Sequence, residues 1–492
     1  MKKIFFIFAL IFIIAGSSCK KDFLTSQAIN PNAPSVAAPN LVLSGALKGA
    51  ADVVNGTSSN YYLEYALWGG YLSYSTGYQT SVPYELYGFT TSSFNEWTPV
   101  YLNLSNFNAL IQANAGPNYT AIAKIMMAYD FEELVDNYND IPYSQALQGA
   151  NSLNPVYDKG SAVYDDLLVQ LDAAIKLIQG GTSAAAPSTA DIMYGGNMTN
   201  WIKFANTLKL RIALRQSNIA SKQAALATNI QATQSLGYID ATCSGEVNPG
   251  YTNLDANGGE QSPLWLEFGF SQSGTGEGGR NITQANLYAV NSFLKYNDTL
   301  RLKQVYAPNS IGKIVATAFG DRNPPSSTPS KLGPGVLKSA TMNAKVLGAA
   351  ESLFLQAEAA ASGLITGNAA TLYNAGITAD FVDKGLTAAQ AAAYYAQPSV
   401  AFPTGAGFAA QQKAIIQQKW FALDVYGAFE AFNELRRTGY PNDIPLSITA
   451  GANPPNQITR TFYPFVEYST NATNVNAEGT INKFTSKIFW AK

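Results

Sequence analysis

The sequence predicts a mainly α-helical protein built as a single large helical domain, and three observations carry that reading. Apolar residues recur at three- and four-residue spacing in several long segments. Many of these faces set a large side chain beside Ala or Gly, as at Ala349-Ala350 and from Ala357 to Ala361, which lets neighbouring helices approach closely as in stacked helix pairs. Long stretches rich in Gly, Ser, Asn and aromatic residues separate the helical segments, and loops of that length in a compact protein usually serve function.

Taken in chain order, residues 1–18 read as a secretory signal: Lys2-Lys3, an apolar run from Ile4 to Ala15, then Gly16-Ser17-Ser18 leading to Cys19. The run is shorter than the roughly 20 residues a membrane-spanning helix needs. Small residues followed by Cys19 predict lipidation of that cysteine, although Gly16 stands where such a site usually has Leu. Two or more acyl chains on Cys19 would anchor the protein stably, for example as palmitate. Residues 19–40, with Pro31, Pro34 and Pro39, read as an extended tether because each proline removes a donor and restricts its predecessor. The body then occupies 41–492.

Within it, helical faces are defined by Trp97, Tyr101, Leu104 and Ile111; by Met127, Phe131, Leu134, Val135 and Tyr138; by Val163, Leu167, Leu171, Ala174 and Ile178; and by Trp201, Phe204, Ala205, Leu208 and Ile212. The C-terminal half adds Leu347, Ala350, Phe354, Ala357 and Ala361, and one further face running from Trp420 through Leu423, Gly427 and Ala431 to Leu435. No repeat of fixed period emerges. The long connections are 69–93, 245–283, 309–339 and 398–407.

Composition narrows the chemistry. The chain has no histidine, which removes the commonest general base, the Ser-His-Asp and Cys-His arrangements and most zinc sites. Its 31 basic and 33 acidic residues nearly balance and form no strong charge run, so nothing points to nucleic acid. Cys19 and Cys243 are the two cysteines, and lipidation of the first leaves the second without a disulfide partner. With 28 Tyr, 25 Phe and 6 Trp, the chain is rich in flat side chains suited to binding rather than to catalysis. No cofactor or metal is expected.

Several of the helical segments carry sequence motifs in a characteristic order. They are Asn30-Pro31-Asn32; the run from Leu134 to Tyr143; Trp201 with Phe204 to Arg211; Glu351 to Gly363 with Ala357-Glu358-Ala359; Gln418-Lys419-Trp420; Arg436 to Pro441; and Tyr463-Pro464 with Glu467 and Asn471 to Asn474. In these the chain resembles the SusD/RagB family of outer-membrane lipoproteins, in particular its divergent second branch. The resemblance implies a helical fold with tetratricopeptide-like helix pairs and irregular loops on the ligand side. It also implies capture of nutrients, usually glycans, at the cell surface and a lid role over a SusC-like TonB-dependent transporter.

The motif residues themselves read as structural. Asn139-Asp140-Ile141-Pro142 is turn chemistry, and Tyr138 and Ile141 occupy positions where a calcium loop needs an oxygen ligand and a glycine. Arg436 and Arg437 end a helix, where cations suit the dipole and Glu430 and Glu434 come within pairing distance.

Two stretches are candidate ligand sites. Trp68, Tyr71, Tyr74, Tyr78, Tyr84, Tyr87 and Phe89 lie among Gly, Ser and Thr, and their rings would suit the apolar faces of sugars; the competing reading is that they staple a long loop to the body. Trp265, Phe268 and Phe270 precede a glycine-rich loop that brings Glu267 and Arg280 toward the same place, with disorder of that loop as the competing reading. Gly274, Gly276 and Gly279 satisfy a dinucleotide fingerprint with Asp298 downstream, but no strand precedes them. The pairs Glu132-Glu133 and Asp165-Asp166 would serve a glycosidase only if they faced a sugar together, and neighbours on a helix diverge, so solvated helix faces explain them better.

The sequence thus points to a non-catalytic surface lipoprotein that binds a nutrient, taken as an oligosaccharide, and hands it to a SusC-like partner at the outer membrane, facing the exterior. Two other readings stay open: a surface glycoside hydrolase, and a structural lid that binds no ligand tightly. Replacing the acyl acceptor tests the anchor directly: Cys19→Ala should move the protein from the membrane pellet to the soluble fraction on cell fractionation.

Overall fold

The structure, a computed structural model, describes residues 37–55, 61–75, 84–94, 96–181, 184–255, 260–321 and 328–492. The signal 1–18, Cys19, the tether up to residue 36 and Tyr78 lie outside these residues. The described chain is mainly helical, as the sequence predicts. Its helices are α1 (Pro39–Val54), α2 (Tyr61–Trp68), α3 (Trp97–Gln112), α4 (Pro117–Tyr138), α5 (Gly160–Gly180), α6 (Met198–Arg215) and α7 (Gln223–Thr233) in the N-terminal half. Short helices follow at α8 (Pro263–Phe268), α9 (Gly278–Ile282), α10 (Leu287–Lys295) and α11 (Thr299–Val305). The C-terminal half holds α12 (Ala349–Ala361), α13 (Ala369–Asp383), α14 (Ala388–Tyr395), α15 (Phe408–Leu423), α16 (Ala428–Thr438), α17 (Phe465–Thr470) and α18 (Ala472–Ala477). Among the described residues no helix is long and apolar enough to cross a membrane.

Consecutive helices pack against one another along the chain, α3 on α4, α4 on α5, α5 on α6, and later α12 on α13. Small residues set the closest approaches. A side chain on Gly160, at the start of α5, would sit 2.3 Å from the Asn139 carbonyl oxygen that ends α4, and one on Gly376 would press 2.9 Å from the Phe354 ring across the α12–α13 interface. Helix ends follow local chemistry: Pro117 begins α4, Asn197 caps α6 by accepting from the Asn200 amide, and Gly439 closes α16 in the left-handed conformation. The single face expected from Trp420 to Leu435 is two helices, because Asp424, at φ +38°, turns the backbone between α15 and α16.

Among the described residues, three two-stranded antiparallel ladders pin the connections to this body: β1 (Leu72–Tyr74) on β5 (Thr283–Ala285), β2 (Ile141–Pro142) on β3 (Tyr157–Asp158), and β4 (Gly245–Val247) on β6 (Ala344–Leu347). The first joins the two candidate ligand stretches, with Leu72 opposite Ala285.

The centre of the molecule is ionic. Every residue of α4 from Ala128 to Tyr138 and of α6 from Phe204 to Arg215 is buried, so the charged groups on these helices need partners inside the protein. Arg211 reaches Glu132 at 2.5 Å and Glu351 at 3.4 Å; Arg215 holds Glu430 at 2.7 Å and Asp136 at 3.2 Å. Lys419 pairs with Glu434 at 2.8 Å, and Arg437 clamps Glu358 at 2.6 Å and Glu434 at 2.5 Å. Five helices, α4, α6, α12, α15 and α16, therefore meet in one network. Burial alone would raise the Glu430 and Glu132 carboxyls, but Arg215, Arg211 and Lys419 hold Glu430 down at about 2, whereas Glu132 is pushed up to about 7 by burial in spite of Arg211.

This corrects one expectation: Glu132 and Glu133 are not on a solvated face but buried. Arg436 and Arg437 do lie in the last turn of α16, and both are buried. Arg437 does pair with Glu434, as its spacing suggests, while Arg436 donates to the Asp136 carbonyl and to Asn433. Asp165 does sit exposed, paired with Lys222. Away from the network, two further buried carboxyls are held near neutrality by desolvation: Glu96, raised to about 7, and Asp130, raised to about 8 despite a hydrogen bond from Asn103. Removing one cation from the network leaves charges uncompensated, so Arg215→Met should cost about 3–5 kcal/mol in urea unfolding.

Candidate ligand-binding site

The two candidate stretches meet across the β1–β5 ladder, but most of the first is packed into the body. Trp68, at the end of α2, is 1% exposed; its indole N–H donates to the Tyr84 carbonyl at 3.2 Å and its ring meets Phe89 at 5.5 Å and Phe94 at 6.1 Å. Tyr71 lies flat on Trp420, 4.6 Å between centroids with an 11° interplanar angle, and donates its hydroxyl to the Trp420 carbonyl at 2.7 Å. Tyr74 is buried, and buried Tyr87 accepts from the Ser447 amide at 3.2 Å and packs on Phe484. These rings staple the loop to the core in place of the open platform the sequence suggests. Tyr84 is half-buried, beside the buried Glu64 carboxyl, and burial followed by Glu64 pushes its hydroxyl well above the usual tyrosine range.

The second stretch is more open. Trp265, on α8, is half-buried and donates its indole N–H to the Phe270 carbonyl at 2.9 Å. Phe270 is 37% exposed, and the Arg280 guanidinium, from α9, lies 4.2 Å from its ring centroid. Among the described residues Arg280 makes no salt bridge, and burial lowers its pKa. Glu267 is half-buried close to Gly279, and burial followed by the charge of Glu277 raises its carboxyl. Trp265 and Arg280 thus converge on Phe270, a ring within the stretch singled out from sequence but less conspicuous there than Trp265. The glycine-rich segment between them is an ordered turn: Phe270 bridges Gly276, and Ser271 donates to the Thr275 carbonyl at 2.8 Å. It is no phosphate loop, because α8 rather than a strand precedes it. Asp298 is a buried cap on α11 bound to Arg301 at 2.5 Å, not a ribose acceptor.

A cavity of about 800 Å³ lies between α12, α13 and α15, walled by Ala349, Ala350, Ala375 and Ala379. Its charged groups are already matched, since Asp383 holds both Lys338 and Lys345 and Glu246 accepts from Ser244 and Asn343.

A body of stacked helices with irregular connections is the fold of the SusD homologues. The fold matches a chitin-binding SusD homolog from Flavobacterium johnsoniae with a TM-score of 0.75 at 21% identity, covering 91% of this chain and 98% of that one. It also matches SusD homologs from Bacteroides uniformis (TM-score 0.75, 23% identity, 92% and 99% covered) and Bacteroides fragilis (0.73, 26%, 92% and 99%). No curated relative matches the chain. The chain belongs to the SusD-like family described as starch-binding and associating with the outer membrane, whose profile matches residues 31–464.

The packing of the first stretch makes its own forecast. Tyr71→Ala should lower unfolding free energy by about 3–5 kcal/mol, as loss of a core ring does, and should act on stability before it acts on any ligand affinity; chemical denaturation beside titration separates the two.

Proposed function

We propose that this protein binds an oligosaccharide non-covalently at the Phe270 cluster and delivers it to a SusC-like TonB-dependent transporter, over which it acts as a lid. The observation that carries the reading is a 37% exposed phenylalanine, capped by a guanidinium, in a chain whose family is described as starch-binding. An aromatic face takes the C–H side of a sugar, while Arg280 supplies directional polar contacts at its rim. The protein acts as a binding protein rather than an enzyme, since binding needs no histidine and the reading assigns no acid–base pair. Lipidated Cys19 holds the body to the outer membrane, facing the exterior.

Titration of the full-length protein in detergent micelles with starch and chitin oligosaccharides tests the reading. At least one should bind, and Trp265→Ala with Phe270→Ala should weaken it by about tenfold, the value of roughly 1.4 kcal/mol of lost stacking. Steady release of reducing ends would point to the hydrolase reading instead, and absence of binding throughout would leave the lid role alone. Pull-down of the tagged protein should bring a TonB-dependent barrel with it.

A further inference from the structure

A second opening, of about 570 Å³, lies on the body itself, between α3, α4, α5 and the turn that follows β2. That size falls in the range of sites for small ligands. Its polar lining is dominated by carboxamides from three elements: Asn108 and Gln112 on α3, Gln148 and Asn151 on the turn, and Gln170 on α5. Among the described residues no carboxylate lines it directly; Asp166 stands behind Gln170 and Tyr143. We infer that this cleft is a second binding site, taking a neutral, hydroxyl-rich ligand of the oligosaccharide class.

The chemistry of the lining selects that class. The exposed Gln112 and Asn151 carboxamides each offer a donor and an acceptor side by side, and the Asn108 and Gln148 oxygens add acceptors, which is the pattern that neighbouring sugar hydroxyls can meet. An anion would find Lys124 as the lining's one cation, and its ammonium is already engaged, donating to Gln170 at 2.7 Å.

The cleft is also held in shape before any ligand arrives. Gln170 passes its amide hydrogen to Asp166 at 3.1 Å, and Asp166 in turn accepts from the Tyr143 hydroxyl at 2.5 Å, so Lys124, Gln170, Asp166 and Tyr143 form one fixed chain along one side. On the other side Leu147 adopts φ +61°, a conformation costly for a branched side chain, and its carbonyl receives the Asn108 amide at 3.4 Å. Phe131, packed edge-on against Tyr143 at 4.7 Å, and Met127 complete an apolar floor. The Gln148 amide donates to the Ser144 carbonyl at 3.0 Å, so three of the five carboxamides brace the frame, while those of Gln112 and Asn151 are exposed at its rim; such a frame is preorganised for binding. The site lies on different elements from the Phe270 cluster and goes beyond the function proposed for it.

Hydrogen exchange measured by mass spectrometry on the full-length protein in micelles tests the inference, with maltohexaose, chitohexaose and xylohexaose as probes and a neutral hexapeptide for comparison. At least one hexasaccharide should slow exchange across residues 143–151. Gln112→Leu with Gln148→Leu should raise the Kd of that event about tenfold. Both side chains are exposed, so the melting temperature should not change. Trp265→Ala should leave the event intact, which separates failure here from failure of the Phe270 site. No protection by any of the three sugars, protection by the peptide alone, or protection indifferent to the double substitution would each overturn the assignment.

Discussion

The structure depends on neutralising charge where water cannot reach. Helices α4 and α6 are buried on every side over most of their length, yet they carry Glu132, Asp136, Arg211 and Arg215. A buried ion is tolerated only when paired, so each helix that touches this centre must supply the complementary charge at the right height. Helices α12, α15 and α16 do so with Glu351, Glu358, Lys419, Glu430, Glu434 and Arg437. Segments about 300 residues apart are thereby fixed in register by geometry that apolar packing alone would leave loose.

That network explains why certain runs stand out in the sequence. The stretches around Leu134 to Asp140, Leu208 to Arg211, Ala357 to Ala359, Gln418 to Trp420 and Arg436 to Gly439 are separate motifs on paper and one cluster in space. Their helical character was legible from apolar spacing, and the pairing of Arg437 with Glu434 from its three-residue offset. The second partner, Glu358, was not, because nothing local links residue 437 to residue 358. The same limit misplaced Glu132: an acidic pair on a helix reads as solvated until a guanidinium from another helix is found opposite it.

The aromatic stretches show the same division at the candidate site. Trp68, Tyr71, Tyr74 and Tyr87 have the composition of a sugar platform, and also that of a loop stapled to a core; Trp420, some 350 residues onward, decides between them. The second stretch was the more legible one because its parts are close in sequence: Trp265, Phe270 and Arg280 meet within a single turn. The amide-lined cleft had no signature at all, since its Asn and Gln residues follow no pattern until two helices and a turn bring them together.

Glu96 and Asp130 carry a consequence for a chain without histidine. Their carboxyls would ionise near pH 4 in an unfolded chain and do so only at about 7 and about 8 in the folded one. Between those limits the folded protein holds protons that the unfolded chain has released, so folding at neutral pH is coupled to proton uptake. The stability these groups contribute is complete below about pH 4, is lost progressively as the pH rises from there through about 7 and about 8, and falls no further in alkali. In a chain without histidine, buried acids rather than imidazoles give folding its proton linkage near neutrality.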